Sequence, residues 1–300
     1  MVTFFSVPKP FSGLFSVIQR NAIESWVRLH PESEVILFGD ETGVAEEARR
    51  LKIRHIPSIR KNRFGTPFMD DVFARARQAA SFGALCFLNT DIVFLDRLTE
   101  LVSPPPFERY LITGRRWDLQ VDQPLDFRSE HWRQYLFGQM RSRGKLHAAC
   151  GMDYFLFPRG LYGQIPPLVI GRLANDNWLI WRALSKRIPV LDATAAVRCV
   201  HQEHERTFDS IGRLSPGGEN GFRQGPEART NALLASGISE FCGLDEAGYK
   251  VTSERTWTKN RTAKHLRRKM LFSPFLTFER GLPAYLTKRL FLSFRKLKLI

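Results

Sequence analysis

A short polar turn follows the most apolar stretch of the chain. Leu85-Cys86-Phe87-Leu88 reads as a buried strand, and Asn89-Thr90-Asp91 comes directly after it. In open parallel sheets ligands bind beyond the carboxyl ends of the strands. A carboxylate at Asp91 therefore stands where a bound diphosphate would lie. It can hold a hard divalent cation, Mn²⁺ or Mg²⁺, whose other ligands are phosphate oxygens and water. Read locally, the same residues are only turn formers. The strand-end rule also selects Ser6 and Asp40. His201 and His204 follow the last apolar strand; neutral imidazole is a common metal ligand. H-x-x-H alone is a poor zinc site, which needs helical spacing and further ligands, and two half-exposed loop histidines are the alternative. Arg115, Arg116 and Trp117 offer guanidinium forks and an indole face, groups that suit a diphosphate and a sugar ring. A salt-bridged edge beside Asp118 is their plainer reading.

These side chains need a scaffold that brings strand ends together. Thr3-Phe4-Phe5-Ser6-Val7 reads as a first strand, stopped by Pro8 and Pro10. Phe15, Ile18, Ala22 and Trp26 recur at helical spacing, a helix over about 14–28. Strands follow at 34–38, 53–59 and 85–88, with helices over 44–51 and around Met69, Val72, Phe73 and Ala76. Near-continuous apolar strands alternating with helices indicate an α/β fold, a mostly parallel sheet covered on both faces. The second half is less regular. Strands are expected at 111–113, 154–157 and 190–191, a helix from Asn175–Asp176, a polar and aromatic stretch over 116–150, and a loop over 212–226.

The composition is that of a globular chain, 43% hydrophobic and 25% charged. Its four cysteines form no C-x-x-C pair, so neither a zinc knuckle nor a disulfide framework is expected. The net charge of +15 is unevenly placed. Residues 255–300 carry 13 Lys or Arg against the single acid Glu279, whereas the preceding 254 residues are nearly balanced. A nucleic-acid-reading fold carries its basic patch on the folded face, so nucleic acid is not expected as a partner of the body. In 284–300, Leu286, Leu290, Phe294, Leu297 and Ile300 share a helical arc, with Lys288, Arg289, Arg295 and Lys296 mostly opposite. Such a basic amphipathic tail suits an anionic membrane surface. No signal peptide and no membrane-spanning stretch is read, so the expected location is cytoplasmic, peripheral at the inner membrane. P-loop, G-x-G-x-x-G and Ser-His-Asp patterns are missing, which removes kinase, dehydrogenase and hydrolase readings.

Asn89-Thr90-Asp91-Ile92, preceded by Gly65-Thr66-Pro67 and Asp70-Asp71, resembles the D-x-D region of GT-A nucleotide-sugar glycosyltransferases. Further blocks match a bacterial family of that class. They are Gly114-Arg115-Arg116-Trp117-Asp118, Gly151-Met152-Asp153-Tyr154-Phe155 with Pro158-Arg159-Gly160, Pro166-Pro167 with Gly171-Arg172, Asn175-Asp176-Asn177-Trp178-Leu179, Leu191-Asp192-Ala193-Thr194 and His201-Gln202-Glu203-His204. The resemblance spans about residues 3–235. It departs at the first D-x-D position, Asn89, which leaves one acidic ligand. It implies a GT-A-like catalytic domain over 1–254, with a nucleotide-sugar half to about 115 and an acceptor half beyond, before the tail at 255–300. It implies metal-assisted, hexosyltransferase-like transfer from a nucleoside-diphosphate sugar to a carbohydrate or lipid-linked acceptor, as in polysaccharide biosynthesis. Thr3, Ser6, Asp40, Thr66, Asp71, Asn89 and Thr90, with Arg115, Arg116 and Trp117, would face the nucleotide sugar. His201 and His204 would complete the metal site with Asp91, His201 first. Asp176 is favoured over Asp153 as general base, with Asn175 left to cap the helix. The rival of a different class is a non-catalytic membrane-associated or nucleic-acid-binding protein acting through the tail.

Overall fold

The first strand shows how the layers form. In β1 (Val2–Ser6) every residue is buried. Alternate side chains leave a strand on opposite faces, so Val2 and Phe4 join one apolar cluster and Phe5 joins the other. Phe4 lies in the cluster that holds Trp26 of helix α1 (Gly13–Val27), while the Phe5 ring sits 5.1 Å from that of Phe73 in helix α3 (Met69–Ala79). The computed structural model describes residues 1–102, 107–204, 225–235 and 242–260.

Nine strands of the described residues make the main sheet. Parallel neighbours of β1 are β2 (Glu34–Phe38) and β4 (Ala84–Leu88), and β3 (Arg54–Ile56) extends the edge beside β2. On the other side β9 (Tyr154–Pro158) runs antiparallel between β4 and β6 (Leu111–Thr113). The sheet continues through β10 (Val190–Asp192), β12 (Tyr249–Val251) and the antiparallel β13 (Trp257–Lys259). The expected α/β fold with a mostly parallel, helix-flanked sheet is present. The sheet also runs beyond residue 254, because β13 belongs to it; residues 261–300, with the amphipathic part of the tail, lie outside the described residues.

A second sheet of four strands holds β5 (Ile92–Phe94), β11 (Cys199–Gln202), β7 (Trp117–Leu119) and β8 (Lys145–Leu146), in that order. Sequence patterning does not announce it, since each strand is four residues or fewer. Within 116–150, read as a polar stretch, lie β7, β8 and helix α4 (Trp132–Arg143). Helices α2 (Val44–Leu51), α5 (Asn175–Ser185) and α6 (Pro226–Leu234) complete the frame, with Pro226 at the first helical position, where its missing N–H costs nothing. Most of the loop expected at 212–226 lies outside the described residues. No described helix is long and apolar enough to cross a membrane.

Candidate active site

A cleft of about 500 Å³ opens where the carboxyl ends of β1 and β4 meet the first residues of β9, the start of α5 and the end of β11. The side chains Ser6, Thr66, Asn89, Thr90, Asp91, Arg116, Asp153, Asp176, His201 and His204 all line it. Their distances along the chain are large, and only the sheet brings them together.

Asp91 is the group around which the two histidines gather. Its Oδ2 lies 3.2 Å from His204 Nε2 and 3.7 Å from His201 Nε2, and its Oδ1 is buried without a hydrogen-bond partner. Burial by itself would raise this carboxyl, but His201, His204 and Lys9 reverse the effect and hold it well below the carboxylate range. Burial likewise disfavours the His201 cation, and Asp91 and Asp118 more than offset it, so the imidazole is raised above 6.5. One atom from each of Asp91, His201 and His204 falls within a span of 4.8 Å. A buried, orphaned carboxylate oxygen beside two imidazole nitrogens fits a divalent cation, and the N,N,O set suits Mn²⁺ better than oxygen-loving Mg²⁺.

Asp118, on β7, orients this cluster. Its Oδ1 lies 3.1 Å from His201 Nδ1 and accepts from Arg116 Nε at 2.9 Å, while Oδ2 lies 2.5 Å from His147 Nδ1. A carboxylate on one ring nitrogen sets the tautomer and leaves the other free to bind a metal. His147 itself reaches the cleft because Gly151 has no side chain; a Cβ there would come within 2.2 Å of the imidazole.

Asn89 has a physical explanation. Its Nδ2 donates to Asp153 Oδ1 at 2.7 Å and its backbone N–H donates to Asp153 O. An aspartate in its place would set two carboxylates against each other. Asp153 Oδ2 accepts from Arg116 Nη1 at 2.6 Å, so both of its oxygens are committed. Asp176 differs. Its only side-chain hydrogen bond among the described residues is from Asn175 Nδ2, at 3.0 Å. Burial, with Asp153 nearby, pushes its carboxyl up to about 8. Neither residue caps α5: the cap position is Ala174, at φ +75° and without a side-chain cap. Asn175 is the first helical residue, so it does not cap the helix as expected, and Asp176 is not the cap either.

Other expected residues lie elsewhere. Thr3 donates to Glu34 Oε2 at 2.7 Å near the amino end of β1, whereas ligands approach the carboxyl end. Asp40 pairs with Lys61 at the surface, and Asp71 accepts from the Arg60 N–H and from Arg75 Nε. Arg115 donates from Nε to His147 O at 2.5 Å, and Trp117 packs on the core cluster. None of these five lines the cleft. Ser6 does, with its hydroxyl given to Leu88 O, and the buried Thr66 hydroxyl faces it unpartnered.

Sequence reasoning missed Lys9, and it met Arg172 only within the Gly171-Arg172 block, with no role assigned. Lys9 lines the cleft with Nζ 4.3 Å from the Phe15 ring centre, and it makes no salt bridge among the described residues. Burial pulls its ammonium down, against the attraction of Asp91. Arg172 is presented by Glu227 of α6, at 2.8 Å. The one signal for Lys9 is its place between Pro8 and Pro10, at a strand end.

No protein-family model matches the chain, and no curated protein matches it. Solved structures similar to it include the mannosyltransferase PcManGT from Pyrobaculum calidifontis, in complex with GDP-Man and Mn²⁺, at 13% identity and TM-score 0.44. That match covers 68% of this chain and 57% of that one. The galactosyltransferase LgtC, in complex with donor and acceptor sugar analogs, matches at 17% identity and TM-score 0.31, over 54% of this chain and 59% of that one. A mycobacterial protein matches at 13% identity and TM-score 0.46, over 87% and 83%. The chain thus spans less than two thirds of the first two structures.

Proposed function

We propose that this chain is a metal-assisted glycosyltransferase that takes a nucleoside-diphosphate sugar as donor and a carbohydrate or lipid-linked hydroxyl as acceptor. The observation that supports it most is the Asp91–His201–His204 cluster, with its orphaned buried oxygen, at the strand-end position where diphosphates bind. A divalent cation held by those three residues would neutralise the charge that develops on a leaving diphosphate. Lys9, Arg116 and Arg172 line the same cleft and supply cations for the remaining phosphate oxygens. Asp176 lines the same cleft at the start of α5, with one oxygen unclaimed by Asn175. In an inverting reaction it accepts the proton of the attacking hydroxyl. Asp153, tied to Asn89 and Arg116, orients the cleft floor and is the poorer base.

A screen of nucleotide sugars for nucleoside-diphosphate release, with Mn²⁺ and with EDTA, tests this reading. Release with one donor, lost in EDTA and restored by Mn²⁺ more than by Mg²⁺, is the expected result. Failure of every nucleoside diphosphate to bind in the presence of Mn²⁺ would sink it. Attachment to an anionic inner leaflet through the basic tail belongs to the same proposal. Sedimentation with anionic vesicles should carry the full chain down at low salt, with a salt-resistant remainder from inserted apolar side chains. A protein that stays in the supernatant at low salt has no such attachment.

A further inference from the structure

Helix α1 packs on the second sheet with a face that is polar where an apolar stripe would suffice. Gln19, Asn21 and Ser25 are 0–2% exposed. Burying such groups is costly unless they are hydrogen-bonded, and each of them is. All of Gln19's partners and one of Asn21's lie on the segments that carry the candidate metal ligands or the lysine facing them. Asn21 also donates to Gln123 O at 2.9 Å and accepts the Leu125 N–H at 2.8 Å. Ser25 donates to Ala22 O and accepts the Phe94 N–H. Gln19 Oε1 accepts the Lys9 N–H at 2.7 Å and the Thr90 hydroxyl at 2.8 Å, and its amide donates to Lys9 O at 2.9 Å. Thr90 is the neighbour of Asp91. Asn21 Nδ2 donates to Gln202 Oε1 at 2.9 Å. Gln202, fully buried, follows His201 directly and precedes His204 by two residues. Its own Nε2 donates to Ile18 O at 2.7 Å and to Asp91 O at 3.2 Å, and its N–H donates to Asp91 O at 3.1 Å. Further along the helix, Trp26 Nε1 donates to Ile92 O at 2.7 Å.

We infer that α1 is the positioning element of the metal cluster, with Gln19 and the Asn21–Gln202 pair holding the Asp91 and His201–His204 segments at a fixed separation. The inference rests on the cluster being a cation site, as proposed above. Stability alone does not call for these amides. Replacing both partners of a buried hydrogen bond by apolar groups of like shape is nearly neutral. An apolar contact is tolerant of small slides, however, and a hydrogen-bonded amide pair is not. The two segments are far apart in sequence, and β5 and β11 overlap by only three residue pairs, so the sheet alone fixes their separation weakly. None of these side chains reaches the cation itself, so they are positioning residues.

Mn²⁺ titration of the metal-free full chain, followed by the electron paramagnetic resonance of free Mn²⁺, tests this without any turnover. Asn21→Leu should raise the Mn²⁺ dissociation constant by about 10–100-fold, the usual cost of losing support behind metal ligands. Gln202→Glu keeps the acceptor for Asn21 but loses both amide donations, and it should weaken binding in the same range; it also carries the test if Asn21→Leu does not fold. Asn231→Leu is the control. Asn231 is another fully buried amide, but it clasps Val169 and Leu173, on a segment that carries none of the three candidate ligands. It should lower the melting temperature and leave Mn²⁺ affinity unchanged. Wild-type affinity in both Asn21→Leu and Gln202→Glu overturns the positioning role and leaves the cation site standing. An equal loss in Asn231→Leu also overturns it, because the effect would then follow global stability. No Mn²⁺ binding by the wild-type chain removes the cation site itself.

Discussion

Asp176→Asn is expected to cut turnover by roughly 10²–10⁴-fold, the usual worth of a general base, while donor affinity barely moves. The Asn side chain keeps the shape and the contact with Asn175 but cannot take a proton. The same substitution should stabilise the metal-free protein at neutral and alkaline pH. Asp176 carries a carboxyl pushed up to about 8 from 3.8, chiefly by burial and next by Asp153. In that interval the folded chain holds a proton that the unfolded chain has released. Stability therefore falls as pH rises from about 4 to 8, and the Asn variant lacks this decline. At pH 5 the two melting temperatures should lie close together; at pH 8 the variant should melt higher. A residue that limits stability where it is needed for chemistry is a common trade. The pH profile of kcat/KM in the parent should show a rising limb toward 8, since that ratio reports the free enzyme. Unchanged turnover with a raised melting temperature would leave Asp176 as a buried acid without a catalytic part, and point to a retaining reaction or to Asp153.

Much of this site was legible because apolar patterning places strand ends. Phe4 and Phe5 mark opposite faces of β1, and Leu85–Leu88 mark a buried strand, so Ser6 and Asp91 fall at one edge of one sheet. That Asp91, His201 and His204 lie close together agrees with what the family resemblance implies for them. Thr3 was misplaced because a strand puts only its last residues at the ligand edge, and Thr3 is near the beginning. Asp118 was hidden by its neighbours. Beside Arg115 and Arg116 it looked like one half of a local ion pair, and that bond to Arg116 exists. Its decisive partners, His147 and His201, are 29 and 83 residues away. Three-residue strands such as β5 and β7 create those contacts, and segments so short carry too few side chains for any period to show. Gln19, Asn21 and Gln202 were hidden for a further reason. A polar residue on a helix face, or at a strand end like Gln202, reads as exposed until its partner is known.

Asp91→Asn should have the largest effect on binding. The side chain is isosteric, so the fold should survive, but the one acidic ligand of the cluster loses its charge. Mn²⁺-dependent nucleotide binding should disappear, with metal affinity falling by more than the ~10–100-fold typical of a lost supporting contact. A second readout shows whether the charge is seated where the structure puts it. In the metal-free parent, Asp91 is held below 3.8 and His201 above 6.5, each against the pull of its own burial. The Asp91 contribution to stability is present above about pH 4 and is lost as pH falls through its lowered value. The His201 contribution is fully present below 6.5 and is lost as pH rises through its raised value. The pair therefore stabilises the metal-free fold in a window from about pH 4 to somewhat above 6.5. Asp91→Asn should melt lower than the parent inside that window, at pH 5.5 for instance, and the gap should narrow at pH 8.5. Mn²⁺ works in the opposite sense, because it competes with the His201 proton and binds better as pH rises. Melting curves at both pH values, with and without Mn²⁺, thus give four conditions with distinct expected orders. Unchanged Mn²⁺-dependent nucleotide affinity in the variant would take Asp91 out of the metal site. A constant melting gap across pH would instead mean that the carboxylate and His201 are not electrostatically linked.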